Sequence, residues 1–231
     1  MYIRYMSLAV LWRMTIAISG TIALIAKLDL FGGSFSLTSF HYFDILITIV
    51  TVIYYFVLSF WQASHSDSEK TCLFPSFKGT LMLSMCLMGL VSYFIVNRGQ
   101  ISDNLSFLWA NIIHYALPIV IVLDWILFDK KGSFKIWFPF IWCIPPFFYM
   151  TTVYLVVYAF NGRVGGEGRF PYDFMNISLN GAATTLAIII TVMLAFVIIG
   201  FTFFALDQLP QKISSILPKK KSEENSEEKT E

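Results

Sequence analysis

Six stretches of the chain, near residues 8–28, 38–62, 78–97, 105–128, 136–160 and 181–206, run on with almost no charge, and polar residues gather between them. At a rise of about 1.5 Å per residue, about 20 apolar residues cross a hydrocarbon core of about 30 Å. Lipid offers backbone N–H and C=O groups no partner, so each stretch is expected to be a helix. The pattern therefore predicts an all-α, polytopic membrane protein with six transmembrane helices in residues 1–209. Residues 210–231 are expected to form a cytoplasmic tail, largely disordered, because its acidic, serine-containing end has nothing to bury. Arg4 precedes the first run, but the length of that run and its interruption by Arg13 predict a retained helix rather than a cleaved signal peptide.

Composition agrees with this pattern. The 231 residues are 57% hydrophobic and 13% charged, against about 45–50% and about 25% in soluble domains. A net charge of +1 gives no reason to expect nucleic acid as a partner; membrane lipids are the expected one. With the N-terminus inside, the inner loops receive Arg4, Arg13, Lys70, Lys78, Lys130, Lys131, Lys135, Lys212, Lys219 to Lys221 and Lys229. The outer side receives only Lys27, Arg98, Arg163 and Arg169, so the bias of basic residues places both termini in the cytoplasm and the protein in the cell membrane. Arg13 is then expected to snorkel to the inner headgroups. Cys72, Cys86 and Cys143 are widely spaced, suit neither a disulfide framework nor a metal site, and are expected to be small packing residues.

Ionisable groups inside a span are costly, so they mark a function or a buried partner. The fourth span carries His114 about ten residues beyond Asn104, which predicts a place near the midplane. Asn111 lies one turn before it, and Pro118 denies the His114 carbonyl its usual helical donor. If the second span begins at the cap-like Ser36–Ser39 segment, Asp44 falls about seven residues in, near the depth of His114. Asp44, Thr48, Thr51 and Tyr55 share one helix face. The threonines also suit an interhelical hydrogen-bond seam. An imidazole beside a carboxylate can act as acid and base, relay a proton or hold a polar ligand head. Asp124 is expected to meet Lys130, Lys131 or interfacial water, and His41 and His65 to lie at exposed span ends. In the fifth span Pro145 and Pro146 predict a kink or a break, with Tyr149 one turn on to line any cavity a kink opens. The glycines of the loop NGRVGGEGRFPYDFMNIS are expected to serve turns. The Asn-x-Ser sites at Asn104 and Asn176 matter only in a cell that glycosylates. Neither a metal nor any other cofactor is expected, since no zinc spacing, Gly-x-Ser-x-Gly elbow or phosphate loop occurs in the sequence.

The run HYALPIVIVLDWILFDKKG, followed by Pro146 and Tyr149 in a P-x-x-Y pattern and by FPYDFMNIS, resembles the Pr6Pr family of bacterial integral membrane proteins. Members carry an H-Y-x-x-P-x-x-x-x-x-D-W run and a later Y-P-Y-x-F-x-D segment. The family is more distantly similar to the animal androgen-induced membrane proteins. The likeness is strongest over residues 105–176 and extends over 36–208. It implies a six-helix fold that is not a barrel and, through the animal relatives, hydrolysis of fatty acid esters of hydroxy fatty acids by an intramembrane threonine and a histidine. His114 falls on the family histidine. Asp44 occupies the position of the threonine, and Ile47 with Thr48 stands where many bacterial members have Ser-Asn.

Residues and resemblance together set the expectation of an intramembrane lipid-ester hydrolase or lipid-binding protein acting on a long-chain acyl ester. His114, Asp44 and Thr48 are its candidate catalytic residues, and Asn111, Thr51 and Tyr149 its candidate substrate contacts. A small proton-coupled transporter using Asp44 and His114 is the alternative, although no inverted repeat is visible. A structural membrane protein with a closed polar seam is the third reading.

Overall fold

The computed structural model describes residues 6–33, 35–65, 70–97, 108–165 and 168–216, with side chains as far as Pro210. Among these residues six helices are long and apolar enough to cross a membrane, and no strand occurs. They are α1 (Met6–Lys27), α2 (Phe43–Ser64), α3 (Pro75–Val96), α4 (Leu108–Phe128), α5 (Phe138–Ala159) and α6 (Ala182–Ile216). α6 continues through Pro210. It thus runs as far as Ile216, into the segment 210–231 expected to be a largely disordered tail, and Asn104 and residues 217–231 lie outside the described residues.

α3 is the centre of the bundle, touching α2, α4, α5 and α6, while α1 runs along α2. Of the most apolar window of each helix, 61% of α3 is buried but only 17% of α6. The more apolar of the two, α6, with a mean hydropathy of 2.8 against 1.9 for α3, is thus the one that the rest of the protein covers least. Around α3 sit Leu81, Met82, Leu83 and Met85, with Tyr55, Leu58, Ile113, Ile121 and Trp142 against them, all essentially inaccessible. Lipid is as apolar as leucine, so close packing rather than hydrophobic transfer must hold such helices together. Glycines allow that closeness: Gly79 lies flat against the Trp142 ring, and Gly89 leaves no room for a Cβ beside the His114 carbonyl.

Three helices pass into a π-helical turn towards the same end: Ser92–Val96 in α3, Ile112–Ala116 in α4 and Leu155–Ala159 in α5. Pro118 explains the second. It has no N–H for the carbonyl of His114 four residues back, the ladder widens so that the Leu117 N–H donates to Ile112 O, and the freed carbonyl packs on Gly89. The double proline of α5 does not bend a continuous helix. The helix breaks at Cys143, and Pro145 and Pro146 occupy the first turn of the segment Ile144–Tyr154, where missing N–H groups cost nothing. Cys72, Cys86 and Cys143 are all free, and the latter two pack against the core.

The Ser36 hydroxyl caps a short 3₁₀ turn, Leu37–His41, and the α-helix begins only at Phe43. Asp44 is therefore in the first turn of α2 rather than seven residues deep. There the positive end of the helix dipole favours a carboxylate. At the other end of the bundle the Asp207 carbonyl accepts the Gly132 N–H at 2.9 Å and its carboxylate accepts the Phe134 N–H at 2.8 Å, tying the α4–α5 loop to α6.

Candidate functional site

Lys27 closes α1, Asp44 opens α2, Ser92 opens the π turn of α3, and His114 lies within that of α4. All four side chains converge at one end of the bundle. His114 Nε2 stands 3.0 Å from Asp44 Oδ2 and 3.0 Å from Lys27 Nζ, and its Nδ1 is 2.5 Å from Ser92 Oγ. Lys27 also donates to Asp44 Oδ2, and the Tyr172 hydroxyl donates to Asp44 Oδ1 at 3.3 Å. Burial, reinforced by the Asp44 charge, pushes the Tyr172 phenol well above its ordinary range, so it remains a donor. The Asn97 amide donates to Ser92 Oγ at 3.3 Å and to the Tyr115 hydroxyl at 3.1 Å.

Tyr172 is supplied by the glycine-containing loop after α5, which folds back over this end. Val164 N–H donates to Arg169 O at 3.0 Å, and Arg169 in turn donates to Val157 O at 2.8 Å and Asn161 Oδ1 at 2.9 Å. The ring of His41, exposed as expected, also hydrogen-bonds the Val164 carbonyl at 3.0 Å through Nδ1. Tyr42 meets the Tyr172 ring edge-to-face with centroids 5.7 Å apart.

Two pockets meet at this cluster. One, of about 680 Å³, is lined by Leu87, Met88, Val91, Val192 and Phe196, with Asp44, Ser92, His114, Tyr149 and Tyr172 supplying polar groups. The other, about 1080 Å³, is lined by Lys27, Ser39, Tyr42, Pro171 and Asp173 and shares Asp44, Val96, Tyr172 and Phe174 with the first. Asp44 and Tyr172 therefore border both a polar and an apolar space.

Of the residues singled out in the sequence, Asp44 and His114 come together. They do so level with the last residue of α1 and the first turn of α2, not near mid-span. Tyr149 lines the pocket and donates to the His41 carbonyl at 2.9 Å. Thr48 and Thr51 do not reach the pocket: their hydroxyls donate back to Asp44 O at 2.6 Å and Ile47 O at 2.7 Å. Asn111, one turn before His114, is outside the lining of either pocket. Sequence reasoning missed Lys27, Ser92 and Tyr172 as site residues. A basic residue at the last position of a helix, facing a lone acid at the first turn of the next, is the signal that could have found Lys27.

A second cluster occupies the opposite end. Arg13 Nε donates to Asp124 Oδ1 at 2.9 Å and its Nη2 to Asp129 Oδ1 at 2.7 Å, while Lys78 Nζ bridges the same two acids at 2.5 and 2.6 Å. Arg13 also donates to Gln62 and to the Thr71 carbonyl, and Tyr55 to Asp124 Oδ2 at 3.3 Å. Arg13 does not snorkel: it is wholly buried. Asp124 pairs with Arg13 and Lys78 instead of Lys130 or Lys131, and the Lys131 ammonium lies 3.5 Å from the centre of a Trp125 ring. His65 stacks on Trp61 at an exposed helix end.

Among the described residues no three metal-ligating side chains converge. Comparison with family models, with curated proteins and with solved structures finds no match to this chain.

Proposed function

We propose that the chain is a multi-pass protein of the cell membrane, with both termini cytoplasmic, that hydrolyses a long-chain acyl ester at the Asp44 end of the bundle, on the outer side. One observation carries this reading. A histidine lining an apolar pocket between α3 and α6 is hydrogen-bonded to a carboxylate that also borders a second, more polar pocket. The apolar space suits an acyl chain reaching the site from the bilayer, and the polar space suits the rest of the ester and the departing alcohol. His114 acts as general base, Asp44 orients its ring, and Tyr172 and Lys27 hold Asp44 in place. The resemblance to a family with a histidine at the position of His114 points the same way.

Purified protein in nanodiscs, offered a panel of long-chain acyl esters, tests it. His114→Ala should lower turnover by at least about 100-fold, the smaller end of what a general base contributes, and Asp44→Asn should lower it while leaving the protein monodisperse. Equal turnover in all three proteins would rule the hydrolase out. Uptake into proteoliposomes that depends on pH and on Asp44 would point to a proton-coupled transporter in its place.

A further inference from the structure

Most of the described span hydroxyls share one pattern, although Ser84 and Thr185 are buried without a partner and Ser19 donates to the carbonyl three residues back. In Thr15, Thr21, Thr48, Thr51, Ser59, Thr80, Thr151, Thr152, Thr191 and Thr202 the hydroxyl donates to the carbonyl four residues back. That is how a helix in lipid ordinarily absorbs a hydroxyl. Ser92 departs from it. Its Oγ meets the His114 ring at 2.5 Å and the Asn97 amide at 3.3 Å, although it is buried and lines the apolar pocket. The departure coincides with the π turn that Ser92 begins, which breaks the helical register at this residue.

From this geometry we infer that Ser92 is the nucleophile of the site and carries the acyl group as an ester on its Oγ; the inference rests on the hydrolase reading above. Asp44 Oδ2 accepts, and Nε2 is the His114 nitrogen facing it at 3.0 Å. The tautomer this requires has its N–H on Nε2, and Lys27 Nζ, also 3.0 Å from Nε2, then gives its protons to Asp44 rather than to the ring. With N–H on Nε2, Nδ1 presents its lone pair to the Ser92 hydroxyl. Lys27 completes the set by donating to Asp44. This is the serine–histidine–acid logic with the two ring nitrogens exchanged, and the chemistry depends on roles rather than on which nitrogen performs them.

Ser92 Oγ attacks the acyl carbonyl carbon as its proton passes to Nδ1. The oxygen of the tetrahedral centre takes the negative charge, and the Asn97 amide beside Oγ is placed to donate to it. Collapse breaks the bond to the alkoxy oxygen, which leaves as the alcohol with the proton from Nδ1. Water then repeats the attack on the acyl-serine, giving its proton to Nδ1, and releases the fatty acid as Oγ recovers a proton. Rival nucleophiles are engaged elsewhere: Thr48 and Thr51 are bonded to backbone carbonyls, and Asp44 holds Lys27, His114 and Tyr172.

The test uses the full chain in nanodiscs treated with a long-chain alkyl fluorophosphonate, followed by peptide mass spectrometry, alongside ester turnover. Expected is a single phosphonylated peptide modified at Ser92, absent in Ser92→Ala and strongly reduced in His114→Ala. Turnover should fall at least about 100-fold in Ser92→Ala. If Ser92→Ala keeps turnover that His114→Ala loses, water attacks directly: the inference fails and the hydrolase reading stands. An adduct on Thr48 or elsewhere also overturns it. Absence of both adduct and turnover in the unaltered protein overturns inference and hydrolase reading together.

Discussion

Both ends of the bundle bury opposite charges, and the two clusters differ in what they leave open. At the Arg13 end two cations and two anions are matched within a closed quartet whose side chains are at most 4% exposed. At the Asp44 end the Lys27 side chain is 23% and that of His114 17% exposed, and two pockets border the pair. A sealed quartet has no lone pair or proton to offer a ligand. Any arrangement that parts these charges strands one in an apolar surrounding. An open cluster keeps a ring nitrogen and a hydroxyl available, and chemistry needs them.

The comparison can be broken at either end. Arg13→Ala leaves Asp124 and Asp129 with Lys78 alone, and loss of one partner of a buried ion pair costs about 3–5 kcal/mol. The expected outcome is a large drop in thermal unfolding temperature in detergent, with any residual folded protein retaining its ester turnover. If Arg13→Ala proves as stable as the unaltered chain, the quartet is not what fixes the packing. Gly89→Ala forces a methyl against the His114 carbonyl and should cost about 1–3 kcal/mol as an overpacked site. Unlike the first variant it should lower turnover in protein that remains folded, because it displaces the residue bearing the ring. The smallest effect concerns pH. Burial lowers Lys131, in the loop beyond α4, to about 8 from 10.5. Between those values the unfolded chain binds more protons than the folded one, so stability should rise as pH increases from about 8 to about 10. Unfolding followed against pH should show a shallower rise in Lys131→Met, with the pH profile of turnover unmoved.

Much of this was legible in the sequence. Six helices follow from hydropathy, because a bilayer permits little else. Asp44 and His114 stood out because each interrupts an apolar run. What the sequence hid is instructive in its variety. Arg13 was read as reaching for headgroups because its partners Gln62, Asp124 and Asp129 lie 49, 111 and 116 positions away, and no periodicity reports such pairs. Lys27 looked like a loop charge since it ends a helix. In sequence Ser92 looks like the other hydroxyls of the spans; its contacts with His114 and Asn97 at the start of the π turn set it apart. Tyr172 belongs to a loop whose fold depends on contacts with α5 and His41. The depth of Asp44 was misjudged because Ser36 caps a 3₁₀ turn rather than the helix itself.

The buried face of α2 carries Asp44, Thr48, Thr51, Tyr55, Ser59 and Gln62 along its whole length. Its first residue engages Lys27 and His114; its last engages Arg13. Mechanically, α2 is a keyed shaft. A turn about its axis at one end must unseat the key at the other.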